Sequence, residues 1–261
     1  MVLCLDIGNT QLYGGLYKDE KVVFTFRKVM NKGISSDEVG IFLRSVIKEN
    51  NFDPTDISRI AYCSVVPDVN HSVNNSCRHY FGIEPFSLKP GAKTGLKIKY
   101  TNPGEVGADR IADAIGAYTK FPDRDIIIVD FGTATTIEVL TKDREYLGGA
   151  IVPGMKIAMQ ALEERTAKLP KVEIIKPDRA CGRTTIESIQ SGLFYGNLGI
   201  IKEITKSITK ENFKGKKPLI IGTGGFSGLF RESGVFDEIL PDLVLDGIYK
   251  AQELNHENRN A

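Results

Sequence analysis

The chain has 261 residues, 41% of them apolar, which is enough to fill one large or two modest cores and excludes a disordered tail. Its 34 Lys and Arg against 33 Asp and Glu leave a formal charge of +1, too little to hold a polyanion by counterion release, so bulk nucleic-acid binding is excluded. The longest stretch without a charged side chain, Ser188 to Ile201, has fourteen residues, against about 20 for a membrane-spanning helix, and a soluble chain with no membrane partner is expected.

The N-terminus has no basic leader and carries Asp6 at the end of its first apolar run, which predicts an immediate strand instead of a secretory signal. Residues 2–5, 12–17 and 21–27 have the β-branched and aromatic content of three strands in a meander. Ser35 to Glu38 form a capping box, and Val39, Phe42, Leu43, Val46 and Ile47 follow on one face of an amphipathic helix. Residues 60–66 read as a buried strand closed by Pro67, followed by a polar stretch rich in His and Asn and a Pro/Gly loop around 89–95. Residues 100–110 are loop-like, and Ile111, Ala114, Ile115 and Tyr118 mark a helix. After a break at Phe121-Pro122-Asp123, residues 125–138 repeat the opening theme of strand, Asp-x-Gly turn and strand. Asp130 follows Asp6 by 124 positions, nearly half the chain, so two related α/β halves meeting near Lys120 are predicted. The second half continues with Gly148-Gly149-Ala150-Ile151-Val152-Pro153-Gly154, a helix through Met155 and Leu162, a long helix from Thr185 to Ile208, a strand at 219–221 with the turn Thr223-Gly224-Gly225, and a last helix from Leu243. Cys4, Cys63, Cys77 and Cys181 are scattered without regular spacing in a chain able to fold unaided, the pattern of reduced thiols and a cytoplasmic location.

Asp6-Ile7-Gly8-Asn9-Thr10 joins an acid that can meet a hydrated divalent cation, a glycine that lets backbone N–H groups approach a phosphate, and neutral hydrogen-bonding side chains. A plain hairpin turn needs the same residue types. The second copy, Asp130-Phe131-Gly132-Thr133, and the third glycine turn at 223–225 favour the phosphate reading, since three such turns can enclose one nucleotide. No Gly-x4-Gly-Lys-Ser/Thr pattern occurs, which excludes a Walker-type site, and too little chain follows Gly222 for a dinucleotide-binding half. Asp109 opens a helix, where the macrodipole favours its ionised form; such a carboxylate can orient an alcohol and take its proton during phosphoryl transfer, or simply cap the helix. Cys63, His71, Cys77 and His79 lie close together in sequence, but their spacing matches no structural zinc pattern.

In this order the turns resemble those of the acetate and sugar kinase, heat-shock ATPase and actin superfamily. The fuller set is more specific: Asp-x-Gly-Asn-Thr, Ser64-Val65-Val66-Pro67, Tyr-x-Asn-Pro-x-x-x-Gly-Ala-Asp-Arg at 100–110, Asp-x-Gly-Thr-Ala-Thr, Gly-Gly-x-Ile-x-Pro-Gly, Gly-x-x-Thr and Thr-Gly-Gly together resemble type III pantothenate kinases along nearly the whole chain. The resemblance implies an α/β fold of two duplicated ribonuclease H-like, actin-like ATPase domains, residues 1–119 and 120–261, with an interdomain nucleotide cleft. It implies ATP-dependent phosphorylation of pantothenate by a homodimer whose substrate site is shared between subunits, with Mg2+ on ATP and K+ or NH4+ as monovalent cation. It places ATP contacts on Asp6, Ile7, Gly8, Asn9, Thr10, Gln11, Leu12, Tyr13 and Thr133, the catalytic base on Asp109, and the monovalent cation on Asp130. Substrate contacts fall on Tyr100, Gly107, Ala108, Asp109 and Arg110, with Thr185 reaching the neighbouring subunit's site; a shift of one residue would exchange Thr185 with Thr184. The absence of a lysine beside the glycine turns fits a monovalent cation supplying positive field there. Two other readings are a sugar or polyphosphate phosphotransferase of the same superfamily and a non-catalytic accessory protein. The joint presence of Asp6, Asp109 and Asp130 disfavours the latter, because a binding module has no use for a base.

Overall fold

In the computed structural model, which describes residues 1–31 and 33–256, β1 (Val2–Ile7), β2 (Gln11–Lys18) and β3 (Lys21–Val29) form the expected antiparallel meander. β4 (Arg59–Ser64) and β5 (Phe86–Leu88) add in parallel on the far side of β1, giving the order β3-β2-β1-β4-β5. Alternation along β1 sends Leu3, Leu5 and Ile7 to one face, where they pack with Leu43 and Ile47 of α1 (Ser36–Glu49) and Val69, Val73 and Cys77 of α2 (Pro67–Phe81). Truncating one of these buried leucines or isoleucines to alanine costs about 2–5 kcal/mol. The capping box at the start of α1 forms as the sequence predicts: Glu38 N–H donates to Ser35 Oγ at 3.2 Å, and Ser35 N–H donates to Glu38 Oε2 at 2.8 Å.

The polar stretch after Pro67 is a helix, which the sequence reading did not anticipate. Proline at its first turn and Gly82 in the left-handed region at its end (φ 67°) bound it, and Val69, Val73 and Cys77, spaced by four, give the narrow apolar stripe it buries.

The opposite face of this sheet carries α3 (Ala108–Lys120) and the final helix, which closes the same unit. Residues 1–96, 101–120 and the segment from Leu243 form one compact unit, and residues 97–100 and 121–242 form the other. The units therefore differ from a single cut at residue 120 in two places, residues 97–100 and the C-terminal helix. That helix joins the first unit because α3 and residues Leu243–His256 pack backbone to backbone: a Cβ at Gly247 would overlap the Ala112 carbonyl, and one at Gly116 would lie 2.5 Å from the Leu243 carbonyl oxygen. Tyr17 reinforces the contact by stacking on Tyr249, ring centroids 4.7 Å apart, and by donating to Asp246 Oδ1 at 2.7 Å.

In the second unit β7 (Ile126–Phe131), β8 (Ala134–Leu140) and β9 (Glu145–Pro153) form another antiparallel meander, and β10 (Leu219–Gly224) and β11 (Glu238–Ile239) add in parallel beyond β7. The order β9-β8-β7-β10-β11 copies the first sheet strand for strand, with β6 (Lys97–Ile98) added in parallel outside β9. Ile127, Val129 and Phe131 face α4 (Met155–Arg165) and α5 (Thr185–Asn212), meeting Met155, Met159, Leu193 and Phe194. Counting the helix from Leu243 as α6 completes the set. Among the described residues no helix is long and apolar enough to cross a membrane.

Candidate active site

Asp6 is the next-to-last residue of β1, and the turn that follows is closed by Gly8 N–H donating to the Gln11 carbonyl at 3.0 Å, which leaves Asn9 and Thr10 exposed at its tip. Ile7 and Leu12 point away into the core under α1 and α2, so of the expected ATP loop they can offer a ligand only their backbone. Asp6 and Tyr13 are direct cross-strand partners and share the other face, the one that carries α3 and α6. Directly beside Asp6 on β4 lies Cys63, whose thiol donates to Asp6 Oδ1 at 3.3 Å. This separates Cys63 from Cys77, which packs in the core across the sheet, so the cysteines and histidines weighed for zinc are not gathered at one place. Among the described residues no group of three or more His, Cys, Asp or Glu is placed to hold a metal ion.

The Asp6 carboxyl is pushed up to about 7, first by loss of water to the atoms packed around it and second by the negative charge of Asp109, with the Cys63 hydrogen bond and Arg27 acting the other way. Part of its surface is still open to solvent. Asp109, in the first turn of α3, is also raised; burial is the largest cause, offset by Arg110, whose N–H donates to Asp109 Oδ1 at 2.7 Å and whose guanidinium adds positive charge. Gly107 makes this rotamer possible, since a Cβ there would overlap Asp109 Oδ1 and lie 3.5 Å from Val65 Cγ1. Val65 is itself anchored to the end of β1 by its N–H, which donates to the Ile7 carbonyl at 3.1 Å. The Ser64–Pro67 motif, the Gly-Ala-Asp-Arg motif and the first Asp-x-Gly turn thus meet around Asp6 and Asp109. Ala108 is half-buried at the helix start, and Arg110 is buried on α3.

Two neighbouring carboxylates that each resist ionisation form a setting that a cation relieves. Mg2+ is commonly held by one or two carboxylates together with substrate phosphates, and the donor set here fits a magnesium that arrives with a nucleotide.

In the second unit Asp130 is the next-to-last residue of β7, the position that Asp6 holds in β1. Glycine backbone packs close against its carboxylate. A Cβ at Gly132 would lie 3.3 Å from Asp130 Oδ2, and one at Gly224, whose φ is +80°, would overlap Asp130 Oδ1. Asp130 brings one carboxylate to this turn, the donor type that hard cations take. Thr133 is exposed at the tip of this turn. Tyr100 lies with its ring edge over Gly148, where a Cβ would be 3.0 Å from Cε2. Thr184 is the N-cap of α5 and accepts from Glu187 N–H at 3.2 Å, while Thr185, the first residue of the helix, is exposed.

Sequence reasoning overlooked Cys63 as a partner of Asp6, and it overlooked Arg27, whose guanidinium carbon sits 3.8 Å from the centroid of the Tyr13 ring. Only the strand register discloses either one.

Two copies of one five-stranded mixed sheet, each opening on a strand that ends in an Asp-x-Gly turn, define a member of the acetate and sugar kinase, heat-shock ATPase and actin superfamily. The type III pantothenate kinase family model matches residues 2–207, and the chain belongs to that family. It is 52% identical over 255 residues to the type III pantothenate kinase of Legionella pneumophila (strain Corby), covering 98% of this chain and 99% of that one. It is 49% identical to the type III pantothenate kinase of Elusimicrobium minutum, with the same coverage. Among solved structures, a conserved Baf family protein of Campylobacter jejuni shares the fold, with a TM-score of 0.61 at 20% identity over 99% of this chain and all of that one.

Proposed function

We propose that this chain transfers the terminal phosphoryl group of ATP to the primary hydroxyl of pantothenate, giving 4'-phosphopantothenate, the first step of coenzyme A biosynthesis. Family membership and relatives matched along their full length support the reaction. The observation that carries the site is the pairing of Asp109 with Asp6: a half-buried carboxylate on a helix N-terminus, its proton affinity raised, next to the strand end that the family resemblance assigns to ATP. Burial brings Asp109 closer to the range of an effective base, so it orients the alcohol for in-line attack and takes its proton as the new bond forms.

In this reading ATP lies in the interdomain cleft that the resemblance implies, gripped by the Asp6–Tyr13 turn and Thr133. Asp6 would meet the magnesium on ATP, and Asp130 with the carbonyls of its turn would hold K+ or NH4+; bound there, the cations neutralise charge on the phosphates. Tyr100, Gly107, Ala108 and Arg110 contact pantothenate beside Asp109. Thr185, its side chain outside the cap of α5, serves the neighbouring subunit's site in a homodimer. The setting is the cytoplasm.

The test is ADP release by the purified chain with ATP and Mg2+, with pantothenate or a panel of hexoses, and with K+ or NH4+ present or withheld. ADP formed only with pantothenate and a monovalent cation is the expected result. Release with a hexose instead would favour the sugar kinase reading, and no release under any salt would favour an accessory protein.

A further inference from the structure

Arg27 belongs to no motif, yet the strand register places it in line with the candidate site. Asp6 on β1 pairs directly with Tyr13 on β2, Tyr13 pairs directly with Arg27 on β3, and Cys63 flanks Asp6 on β4. Directly paired residues share a face, so Arg27, Tyr13, Asp6 and Cys63 form one row across the sheet on the face that carries α3 and α6. Tyr13 is 7% exposed, so its ring is a fixed platform, and the Arg27 guanidinium lies over it at 3.8 Å from the centroid. Stacking fixes the plane of a guanidinium while leaving its N–H edge free to donate. Arg27 is exposed, and among the described residues no hydrogen bond or ion pair engages those donors.

A planar, permanently charged fork with an open edge suits phosphate oxygens, which accept two parallel N–H bonds. Tyr13 is the last residue of the turn read as the ATP loop, and no lysine accompanies the glycine turns. From this geometry we infer that Arg27 is a phosphate-binding residue of the nucleotide site, contributing from the neighbouring strand the fixed cation that the turns themselves lack. The inference rests on reading the Asp6–Tyr13 turn as the ATP site. Its contribution is to ATP affinity and to neutralising the phosphates, not to pantothenate.

The full-length chain, its Arg27→Gln variant and its Arg27→Lys variant separate these roles. Calorimetry would give the affinities for Mg-ATP, Mg-ADP and adenosine, steady-state kinetics would give KM for each substrate, and thermal melts would report the fold. Loss of a charge-assisted hydrogen-bonding group predicts Mg-ATP binding about ten- to a hundredfold weaker in Arg27→Gln. Adenosine affinity and pantothenate KM stay within about twofold, melting is unchanged, and Arg27→Lys recovers part of the loss because it keeps the charge without the stacked fork. Equal weakening of ATP and adenosine would mean that Arg27 only props the Tyr13 ring, and a rise confined to pantothenate KM would move it to the substrate carboxylate; either overturns the inference. Unchanged ATP affinity in Arg27→Lys together with Arg27→Gln overturns it too. Should the wild type bind ATP yet never phosphorylate pantothenate, the functional reading fails while a selective loss of ATP binding in Arg27→Gln still upholds the phosphate role.

Discussion

Asp6 and Asp130 occupy the same position in two sheets of the same strand order, and each begins a short glycine turn into an antiparallel partner. Their neighbours differ. Asp6 faces a thiol and a second carboxylate, and its proton is held up to about 7. Asp130 has the glycines Gly132 and Gly224 close against its carboxylate oxygens. Even the hairpins differ by one residue: Asp6 pairs with Tyr13, seven positions on, and Asp130 with Thr136, six positions on. The comparison teaches that duplication preserved a scaffold which delivers a carboxylate to a strand end, while the residues beside each copy set what that carboxylate can hold. In the function proposed above, the first meets the magnesium on ATP and the second a monovalent ion.

The sharpest way to break this contrast is to remove the like charge from the first copy. Asp109→Asn keeps the size of the side chain but can neither take a proton nor repel Asp6. Its kcat is expected to fall about a hundredfold or more, the size typical of lost general-base help, while the melting temperature holds or rises. Steady-state kinetics with a thermal melt checks this, and a variant with more than about a tenth of wild-type kcat would remove Asp109 from the role of base.

The second copy is probed by Gly224→Ala. The added Cβ would overlap Asp130 Oδ1 and lie 2.7 Å from Phe131 N, at a φ that an L-residue reaches only with strain. A loss of about 1–3 kcal/mol in stability is expected, with a several-fold rise in the K+ concentration needed for half-activation and no change in which monovalent ion is preferred. Denaturant unfolding and a K+ titration of activity measure both. An unchanged K+ requirement in the folded variant would separate Asp130 from the cation.

Much of this arrangement was legible in the sequence, and the gaps have physical causes. The two Asp-x-Gly turns, the capping box of α1, the start of α5 at Thr185 and the Gly-Ala-Asp-Arg element were all readable, because each depends on local backbone chemistry. The helix α2 was not, since Asn, His and Ser dominate it and only Val69, Val73 and Cys77 mark its buried stripe; Pro67 and Gly82 at its ends were the available signal. The packing of α6 into the first unit was hidden because a helix's own periodicity does not name its partner, although Gly247 hinted at a close approach. Cys63 and Arg27 acquire meaning only from register, a property of pairs of strands and not of any one of them.

A gentler probe of the first copy is pH. In the unfolded chain the Asp6 carboxyl has its ordinary value of 3.8, and in the fold it rises to about 7, so the folded state binds the proton more tightly. The resulting stability is present in full below about 3.8 and is lost as pH climbs to about 7. Asp6→Asn has no such dependence. Without nucleotide or Mg2+, the variant should therefore gain on the wild type in thermal melts between pH 4 and 7, with a constant difference above that. A difference that does not vary with pH would show that the carboxyl titrates normally.

The smallest expected effect separates two adjacent threonines. Thr184 Oγ accepts the Glu187 N–H at 3.2 Å, so Thr184→Ala leaves an N-terminal donor of α5 without its cap and should cost about 1 kcal/mol. The Thr184-x-x-Glu187 spacing is the sequence signal for that role. Thr185 lies inside the helix with its side chain exposed, and alanine there is at least as good a helix former, so Thr185→Ala should leave stability unchanged. Its effect should appear instead as a higher KM for pantothenate at unaltered ATP affinity. If Thr184→Ala raised that KM and Thr185→Ala did not, the two residues would exchange roles: the hydroxyl that caps the helix would be the one that reaches the substrate, and the cap would have to open whenever pantothenate binds.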